Sequence, residues 1–154
     1  MTPRTEEQVA ASIEARRRRP PAFRDERVTM AHGAGGKASR ALVEGLIAPL
    51  VANEVLAGLD DAAVVTVGGA RVTFTTDAFV VRPLRFPGGS IGELAVNGTV
   101  NDLAVKAARP VAVSVALVLE EGLEAEALRL EVEAIAEAAK RAGVVVATGD
   151  TKVV

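Results

Sequence analysis

Short β-branched runs and longer amphipathic stretches alternate along the chain, which predicts a protein of mixed strands and helices. The runs at residues 63–67 and 71–76 are separated by a turn that contains Gly68 and Gly69. A glycine pair between two such runs is a hairpin signal. Further strands are predicted at residues 79–81, 111–119 and 144–147.

Three segments carry apolar residues at helical spacing. The first spans about residues 39–50. The second follows Ser90, the expected N-cap of a capping box with Glu93, and runs to about residue 107. Gly98 lies inside it, and a glycine in that position often marks close packing or a ligand. The third, at residues 124–141, has Gly143 as C-cap and a predicted apolar stripe of Leu128, Val132, Ile135, Ala136 and Ala139.

The order of these elements is loop, helix, three strands, helix, strand, helix and strand. It predicts an α/β protein of the α+β type, with a four-stranded mixed sheet and helices packed on one face. The strands hold more apolar surface than such a sheet buries, so a second sheet face is expected to cover it.

The first 27 residues differ in character from the rest of the chain. An arginine run at residues 16–19 is followed by two prolines, which break any helix before them. Residues 1–27 are therefore predicted to form a mobile N-terminal arm, ahead of a domain at residues 28–154. A phosphate contact by the arginine run is the alternative interpretation.

Composition narrows the class of function. The chain has 154 residues, a net charge of −2, four Phe, no Trp or Tyr and no cysteine. This charge gives no support for binding nucleic acid or an anionic membrane surface. No apolar run approaches the roughly 20 residues needed to span a bilayer. Without cysteine the chain has no disulfide or thiol chemistry, which fits the reducing cytoplasm, the location that we expect.

Five aspartates lie where apolar or glycine-rich runs end: Asp60, Asp61, Asp77, Asp102 and Asp150. A charge at the end of a buried strand is costly unless a cation neutralises it, and several together suggest a shared cation. Oxygen ligands, with no cysteine and one histidine, favour Mg²⁺ held together with phosphates. Each aspartate also has an ordinary alternative, as a turn residue, as part of an exposed helix face or, for Asp150, in a surface ion pair with Lys152.

A glycine-rich loop, with Gly33, Gly35, Gly36 and Lys37, precedes the first helix. It does not match the Walker pattern, because alanines stand where that pattern needs its first glycine and its hydroxyl ligand. Such a loop can still wrap phosphates through main-chain N–H groups and the lysine charge, and it is equally compatible with a plain connection. His32 beside it is expected to be a packing or surface residue.

Taken together, these motifs resemble the N-terminal half of the HypE family. The resemblance is carried by HGAGGKASR, LDDAAV, FTTDAFVV, GTVNDLAV, LEEGL and GDTKVV, and it extends from about residue 29 to residue 154. HypE proteins are carbamoyl dehydratases that mature [NiFe] hydrogenases. They are similar in fold to aminoimidazole ribonucleotide synthetase and thiamine-monophosphate kinase. The resemblance implies that residues 28–154 form an ATP-binding and dimerisation domain, whose sheet pairs into a barrel across a homodimer.

The resemblance also implies a reaction and a site. HypE-like proteins use ATP to dehydrate a thiocarboxamide on their own C-terminal cysteine to a thiocyanate, and their partners are a carbamoyltransferase and other hydrogenase maturation proteins. The implied cofactors are ATP and Mg²⁺, with the five aspartates as metal ligands and Lys152 as the catalytic residue near the transferred phosphate. The implied nucleotide contacts are Gly33, Gly35, Gly36, Lys37, Asp77, Asn101 and Thr151.

Two departures limit what the resemblance carries. The chain lacks the second domain of the family, and it has no cysteine that could receive the carbamoyl group. We therefore expect a domain cut from a longer protein and inactive by itself. Two alternatives stay open: another ATP-dependent kinase or synthetase of the superfamily, and a dimerisation and partner-docking module.

Overall fold

The computed structural model of the chain describes residue 5, residues 7–8 and residues 21–154. The chain divides into two compact units, Met1–Gly58 and Leu59–Val154. The predicted mobile arm at residues 1–27, with its arginine run, lies for the most part outside the described residues. In the described part of the chain, no helix is long and apolar enough to cross a membrane.

Helix α1 is the main element of the first unit. A 3₁₀ turn at Met30–His32 leads into the glycine-rich loop that precedes it. The helix predicted at residues 39–50 is present and begins earlier, at the last glycine of the loop. It runs through Gly36–Leu42, one wide π turn at Val43–Ile47, and Ala48–Leu50.

Gly45 and His32 hold the segment before the loop in place. A Cβ at Gly45 would overlap the main chain of residues 21–23, so the glycine lets that segment pass directly over α1. His32 is buried, and its Nδ1 accepts a hydrogen bond from the Thr29 main-chain N–H at 2.9 Å. Its Nε2 lies 3.0 Å from Oδ2 of Asp25. His32 is therefore the packing residue that the sequence analysis expected.

The second unit begins with the predicted hairpin. Strands β1 (Ala63–Val67) and β2 (Ala70–Phe74) pair in antiparallel register. Gly68 and Gly69 have φ values of 57° and 84°. Positive φ at both central residues is the geometry of a tight two-residue hairpin turn, and it explains why two glycines occupy these positions.

A β-α-β unit forms most of the remainder. Two short strands, β3 (Arg85–Phe86) and β4 (Gly89–Ser90), lead into helix α2 (Ile91–Val105). Strand β5, helix α3 and strand β6 follow, and β5 and β6 pair in parallel with one register shift near the start of β5. Their bounds are Ala112–Leu119, Ala125–Ala142 and Val145–Val153.

Helices α2 and α3 cover one face of β5, as predicted. Alternate residues of β5 face the helices and the residues between them are more exposed, the period expected of a half-buried strand. Strand β6, by contrast, is exposed along its whole length. The buried cluster between the helices and β5 consists of Val96, Val113, Ile135, Ala138, Ala139 and Val144.

The sheets differ from the prediction. The described residues form three two-stranded sheets where the sequence predicted one four-stranded sheet. No ladder hydrogen bonds join the hairpin to the β5–β6 pair among the described residues, and residues of β2 and β5 line a cavity of about 130 Å³. The strand predicted at residues 79–81 is wrong: Val80 is 99% exposed, and the Phe79 ring packs on α2 instead of a neighbouring strand. The strand predicted at residues 144–147 is longer, because β6 stays paired with β5 to its end.

Helix ends in the second unit follow the predicted capping chemistry. The Ser90 hydroxyl accepts from the Glu93 main-chain N–H at 3.4 Å, and Gly143 ends α3 in the left-handed conformation with φ 69°. Helix α2 ends slightly earlier than predicted, at Val105. Ala107 then has φ 53°, a conformation that is strained for a residue with a Cβ.

The buried face of α3 includes a charge that the predicted apolar stripe omitted. Val132 is 45% exposed and Ala136 is also exposed, whereas Glu131 is 7% exposed. Both oxygens of Glu131 are satisfied: Oε2 accepts from the Gly92 N–H at 3.0 Å, and Oε1 lies 2.9 Å from Nε of Arg85. Pairing of this kind is what allows a carboxylate to be buried. The acid thereby connects α3 to the first turn of α2 and to β3.

Candidate functional site

Three of the five aspartates come together in the second unit. Asp61 lies just before β1, Asp77 follows β2, and Asp102 lies on α2. The Thr75 hydroxyl donates to the main-chain carbonyl oxygen of Asp61 at 2.8 Å and lies 3.2 Å from Oδ2 of Asp102. This hydroxyl connects the residue before the hairpin to the helix. Asp77 lies close enough to Asp102 and Asp61 for their charges to act on it. We call Asp61, Asp77 and Asp102 the acidic cluster.

The electrostatics of the acidic cluster are unfavourable in the absence of a cation. Partial burial, the charge of Asp102, a hydrogen bond with Asp102 and the charge of Asp61 together raise the pKa of Asp77 above its usual value. Asp77 as a whole is an exposed residue, so we give more weight to the two neighbouring carboxylates than to burial. Like charges held this close favour either a proton or a metal ion between them.

Gly98 positions Asp77 through close packing. A Cβ on Gly98 would lie 2.5 Å from the Phe79 ring and 3.6 Å from Oδ2 of Asp77. The glycine in the middle of α2 therefore lets the segment after β2 lie directly on the helix, which confirms the close packing that its position suggested. Asn101, one residue before Asp102, is exposed on the same helix.

Asp60 forms an ion pair with a lysine and is not a member of the acidic cluster. Its Oδ2 lies 2.6 Å from Nζ of Lys106, which follows the last turn of α2. The Lys106 side chain is 26% exposed and that of Asp60 is 60% exposed. Asp60 is thus neutralised by a lysine, unlike its neighbour Asp61 in the acidic cluster.

Asp150 is also paired with a lysine. Lys152 Nζ lies 2.9 Å from Oδ1 and 2.7 Å from Oδ2 of Asp150, and the Thr151 main-chain N–H donates to Oδ1 at 2.9 Å. These hydrogen bonds lower the pKa of Asp150 below its usual value, and the bond from Lys152 has the largest effect. All three residues lie on the exposed strand β6. The surface ion pair considered as the alternative for Asp150 is therefore present.

The glycine-rich loop lies in the first unit and has an open helix N-terminus. Gly35 and Gly36 have φ values of 82° and 77°, so both need the left-handed conformation that glycine adopts freely. Gly35 is the N-cap of α1 and supplies no side chain to the first N–H groups of the helix. Lys37 in the first turn is exposed. Free N–H groups beside a lysine suit an anion such as a phosphate.

The donors in the second unit fit a particular kind of metal site. Among the described residues, no group of three or more Asp, Glu or His side chains is arranged to hold a metal ion by itself. Within the acidic cluster, Asp102 and Asp61 are close enough to Asp77 for their charges to raise its pKa. Mg²⁺ usually keeps several waters and binds one or two carboxylates together with substrate phosphates. The donors therefore fit a Mg²⁺ ion that arrives with a nucleotide, not a cage built by the protein alone.

Sequence reasoning missed two residues of this site. Thr75 lies two residues before Asp77, and Lys106 lies four residues after Asp102, which places it on the same side of α2. Both spacings are visible in the sequence. Their partners are not, because the contacts with Asp60 and Asp61 depend on where the hairpin packs against the helix.

Comparison with known proteins gives a consistent result. Residues 59–154 match the family model "AIR synthase related protein, N-terminal domain". The carbamoyl dehydratase HypE of Rhodobacter capsulatus is 52% identical in an alignment of 138 positions, which covers 86% of this chain and 40% of that protein.

Two solved structures are similar over much of the chain. One, from a crystal structure of a HypE-HypF complex, has a TM-score of 0.68 and 48% identity, and covers 74% of this chain and 36% of that one. Another, a crystal structure of the hydrogenase maturation protein HypE in complex with ATP, has a TM-score of 0.54 and 43% identity, and covers 83% of this chain and 38% of that one.

The family model covers the whole of the second unit, including the acidic cluster, Lys106 and the Asp150–Lys152 pair. The chain spans about 40% of the length of the curated relatives that it matches. It belongs to the family of AIR synthase related proteins, as an N-terminal domain of the HypE type.

Proposed function

We propose that the chain is the ATP-binding half of a carbamoyl dehydratase, which converts a C-terminal cysteine thiocarboxamide to the thiocyanate that supplies the cyanide ligands of [NiFe] hydrogenase. The observation that carries the proposal is the acidic cluster around Thr75, inside the unit that matches the family model. The ATP complex of a similar HypE protein supports nucleotide binding. Because the chain has no cysteine, the acceptor cysteine lies outside these 154 residues.

The proposed chemistry follows from what the dehydration requires. The oxygen of a thiocarboxamide is a poor leaving group, and transfer of a phosphoryl group from ATP turns it into a good one. Phosphate then leaves as the nitrogen loses its two protons and the carbon–nitrogen triple bond forms. Bound Mg²⁺ would offset the charge of the nucleotide phosphates during this transfer.

The residues of the chain have separate roles in this proposal. The acidic cluster holds the metal, and Asp60 and Asp150 join it when their lysine partners are displaced. Lys152, once released from Asp150, offsets charge on the transferred phosphoryl group. The nucleotide contacts are Gly33, Gly35, Gly36, Lys37, Asp77, Asn101 and Thr151.

Nucleotide binding by the isolated chain tests this proposal. We expect millimolar Mg–ATP to raise its melting temperature only slightly. The chain spans about 40% of the length of its relatives, and the remaining length would add contacts to the nucleotide and exclude water from the site. A ligand at 100 times its dissociation constant stabilises a protein by about 2.7 kcal/mol, and we expect far less. The full-length Rhodobacter capsulatus relative should show a clear shift under the same conditions. A large shift in the isolated chain would contradict the expectation that the rest of a full-length protein supplies much of the nucleotide site.

Dimerisation through the sheet is the second part of the proposal. What supports it is the exposure of apolar side chains on one face of the β5–β6 pair: Val118 is 71% and Val145 62% exposed. Exposed apolar side chains on a sheet face are what a second sheet would cover. In the proposed dimer, this surface is covered when the strands of two copies pair into a barrel, with the four strands of each copy forming one sheet.

Sedimentation in solution checks the dimer. We expect the chain to sediment as a dimer at micromolar concentrations, because a buried apolar sheet interface is typically stable. A matched variant, Val118→Lys, places a charge on this exposed face near the end of β5 and should shift the population toward the monomer. A monomer in the unmodified chain would contradict the proposed barrel.

The proposed partners are supported by one similar chain, which was crystallised in a HypE-HypF complex. We propose that this protein likewise works with the carbamoyltransferase and other hydrogenase maturation proteins. The proposed location is the cytoplasm, which the absence of cysteine fits. Another ATP-dependent kinase or synthetase of the superfamily is the alternative enzyme. A dimerisation and docking module is the alternative without nucleotide chemistry. Intact dimerisation without any nucleotide binding would favour the last of these.

A further inference from the structure

We propose that Lys106 is a built-in competitor of the metal, which holds Asp60 in the metal-free protein and lowers the affinity of the site for free Mg²⁺. This inference rests on the proposed function, because it concerns how that same site takes its ion. Its basis is the contact of 2.6 Å between Nζ of Lys106 and Oδ2 of Asp60. The proposed chemistry gives Asp60 a metal ion as its partner and gives Lys106 no role. It therefore does not explain why these two side chains are paired.

Asp60 and Lys106 each lie close along the chain to a member of the acidic cluster. Asp60 adjoins Asp61, whose carbonyl oxygen accepts the Thr75 hydroxyl. Lys106 lies one helical turn after Asp102, and residues four apart on a helix are neighbours on its surface. The lysine therefore neutralises the carboxylate next to Asp61, whose own charge acts on Asp77.

Metal binding at Asp60 has to displace this lysine. Two cations on the same carboxylate repel each other strongly at contact distance. A free Mg²⁺ ion that takes Asp60 leaves the ammonium group of Lys106 without its partner. A Mg²⁺ ion that arrives with a nucleotide brings phosphate oxygens that can accept the displaced ammonium group. Lys106 thereby biases the site toward the metal–nucleotide complex and against the metal alone.

Titration with Mn²⁺ in the absence of nucleotide tests the proposal, with the free ion measured by electron paramagnetic resonance. We expect Lys106→Met to bind Mn²⁺ roughly two- to fivefold more tightly, the range set by the strength of a partly exposed ion pair. Lys106→Arg keeps the charge and should bind as the unmodified chain does. Lys140→Met, on the exposed surface of α3, makes the same change of net charge elsewhere and should have no effect.

The Asp60→Asn background separates the proposed mechanism from a general charge effect. If Lys106 acts by occupying Asp60, adding Lys106→Met to Asp60→Asn should give much less tightening than Lys106→Met gives alone. Equal tightening in both backgrounds, or none in either, would overturn the proposal. Asp61→Asn tests the site itself: if it leaves Mn²⁺ binding unchanged, the proposed function fails, whatever Lys106 does. Circular dichroism of each variant confirms that the chain is folded.

Discussion

Gly92→Ala is expected to destabilise the second unit by about 3 kcal/mol or more, at the upper end of what overpacking causes. A Cβ at this position would overlap the main-chain carbonyl oxygen of Glu131 and lie 3.2 Å from the Cβ of Ala134. Backbone on α3 cannot move aside without separating the two helices. Separation would also break the hydrogen bond from the Gly92 N–H to the buried carboxylate of Glu131. A domain of ordinary stability, about 5–15 kcal/mol, would lose much of its margin.

Urea unfolding followed by circular dichroism measures this effect. Asn97→Ala is the matched control, because Asn97 is exposed on the same helix and its replacement should change the free energy of unfolding by less than about 0.5 kcal/mol. If Gly92→Ala is as stable as this control, α2 and α3 do not cross at the contact between Gly92 and Glu131, and the described packing is wrong.

Asp77→Asn is expected to have opposite effects on metal–nucleotide binding and on the stability of the metal-free protein. In a full-length protein, loss of a carboxylate from the acidic cluster should weaken Mg–ATP binding at least about tenfold, or 1.4 kcal/mol. Without metal the variant should be slightly more stable near neutral pH, because repulsion from Asp102 and Asp61 is relieved. Since Asp77 is exposed, we expect this gain to stay below about 1 kcal/mol.

The pH dependence of stability gives a second test of Asp77. Its pKa in the folded chain is raised above the usual value of 3.8, so the folded state holds the proton more tightly than the unfolded state does. The stability of the unmodified chain should therefore fall as the pH rises from 3.8 through the folded-state pKa, and this contribution is level above it. Asp77→Asn lacks the titrating group. The stability difference between variant and unmodified chain should be small at low pH, grow through this window and then stay constant. A difference independent of pH would mean that the three carboxylates do not interact.

Local chemistry made much of the fold predictable. The paired glycines at residues 68 and 69, the Ser90 cap and Gly143 each require one backbone geometry, and the structure has that geometry at all three places. The sheet was less predictable. Whether β2 and β5 pair through ladder hydrogen bonds depends on the distance between them in the folded chain. The residues of the two strands carry no information about that distance. The same holds for residues 79–81, where Phe79 finds a glycine on α2 to pack against.

The sequence predicted which acids form the candidate site, but not all of the side chains with which those acids pair. The acids were recognised by their positions at the ends of apolar runs, and Asp61, Asp77 and Asp102 do meet. The ion pair of Asp150 with Lys152 was visible in the sequence as an alternative. The pair of Asp60 with Lys106 could not be foreseen, because Lys106 reaches Asp60 across the fold. Glu131 was missed for a related reason: a carboxylate within an apolar stripe has no obvious role until the Gly92 N–H and Arg85 appear beside it.

Paramagnetic broadening by Mn²⁺ is the measurement that tests the central claim most directly, namely that the acidic cluster receives the metal of a bound nucleotide. Amide signals of the ¹⁵N-labelled 154-residue chain would be recorded with ATP and a trace of Mn²⁺ in place of Mg²⁺. We expect selective broadening at Asp61, at residues 75–77 and around Asp102, and its loss in Asp61→Asn. Broadening centred instead on the surface acids Glu126 and Glu133 of α3, or broadening that Asp61→Asn leaves unchanged, would contradict it.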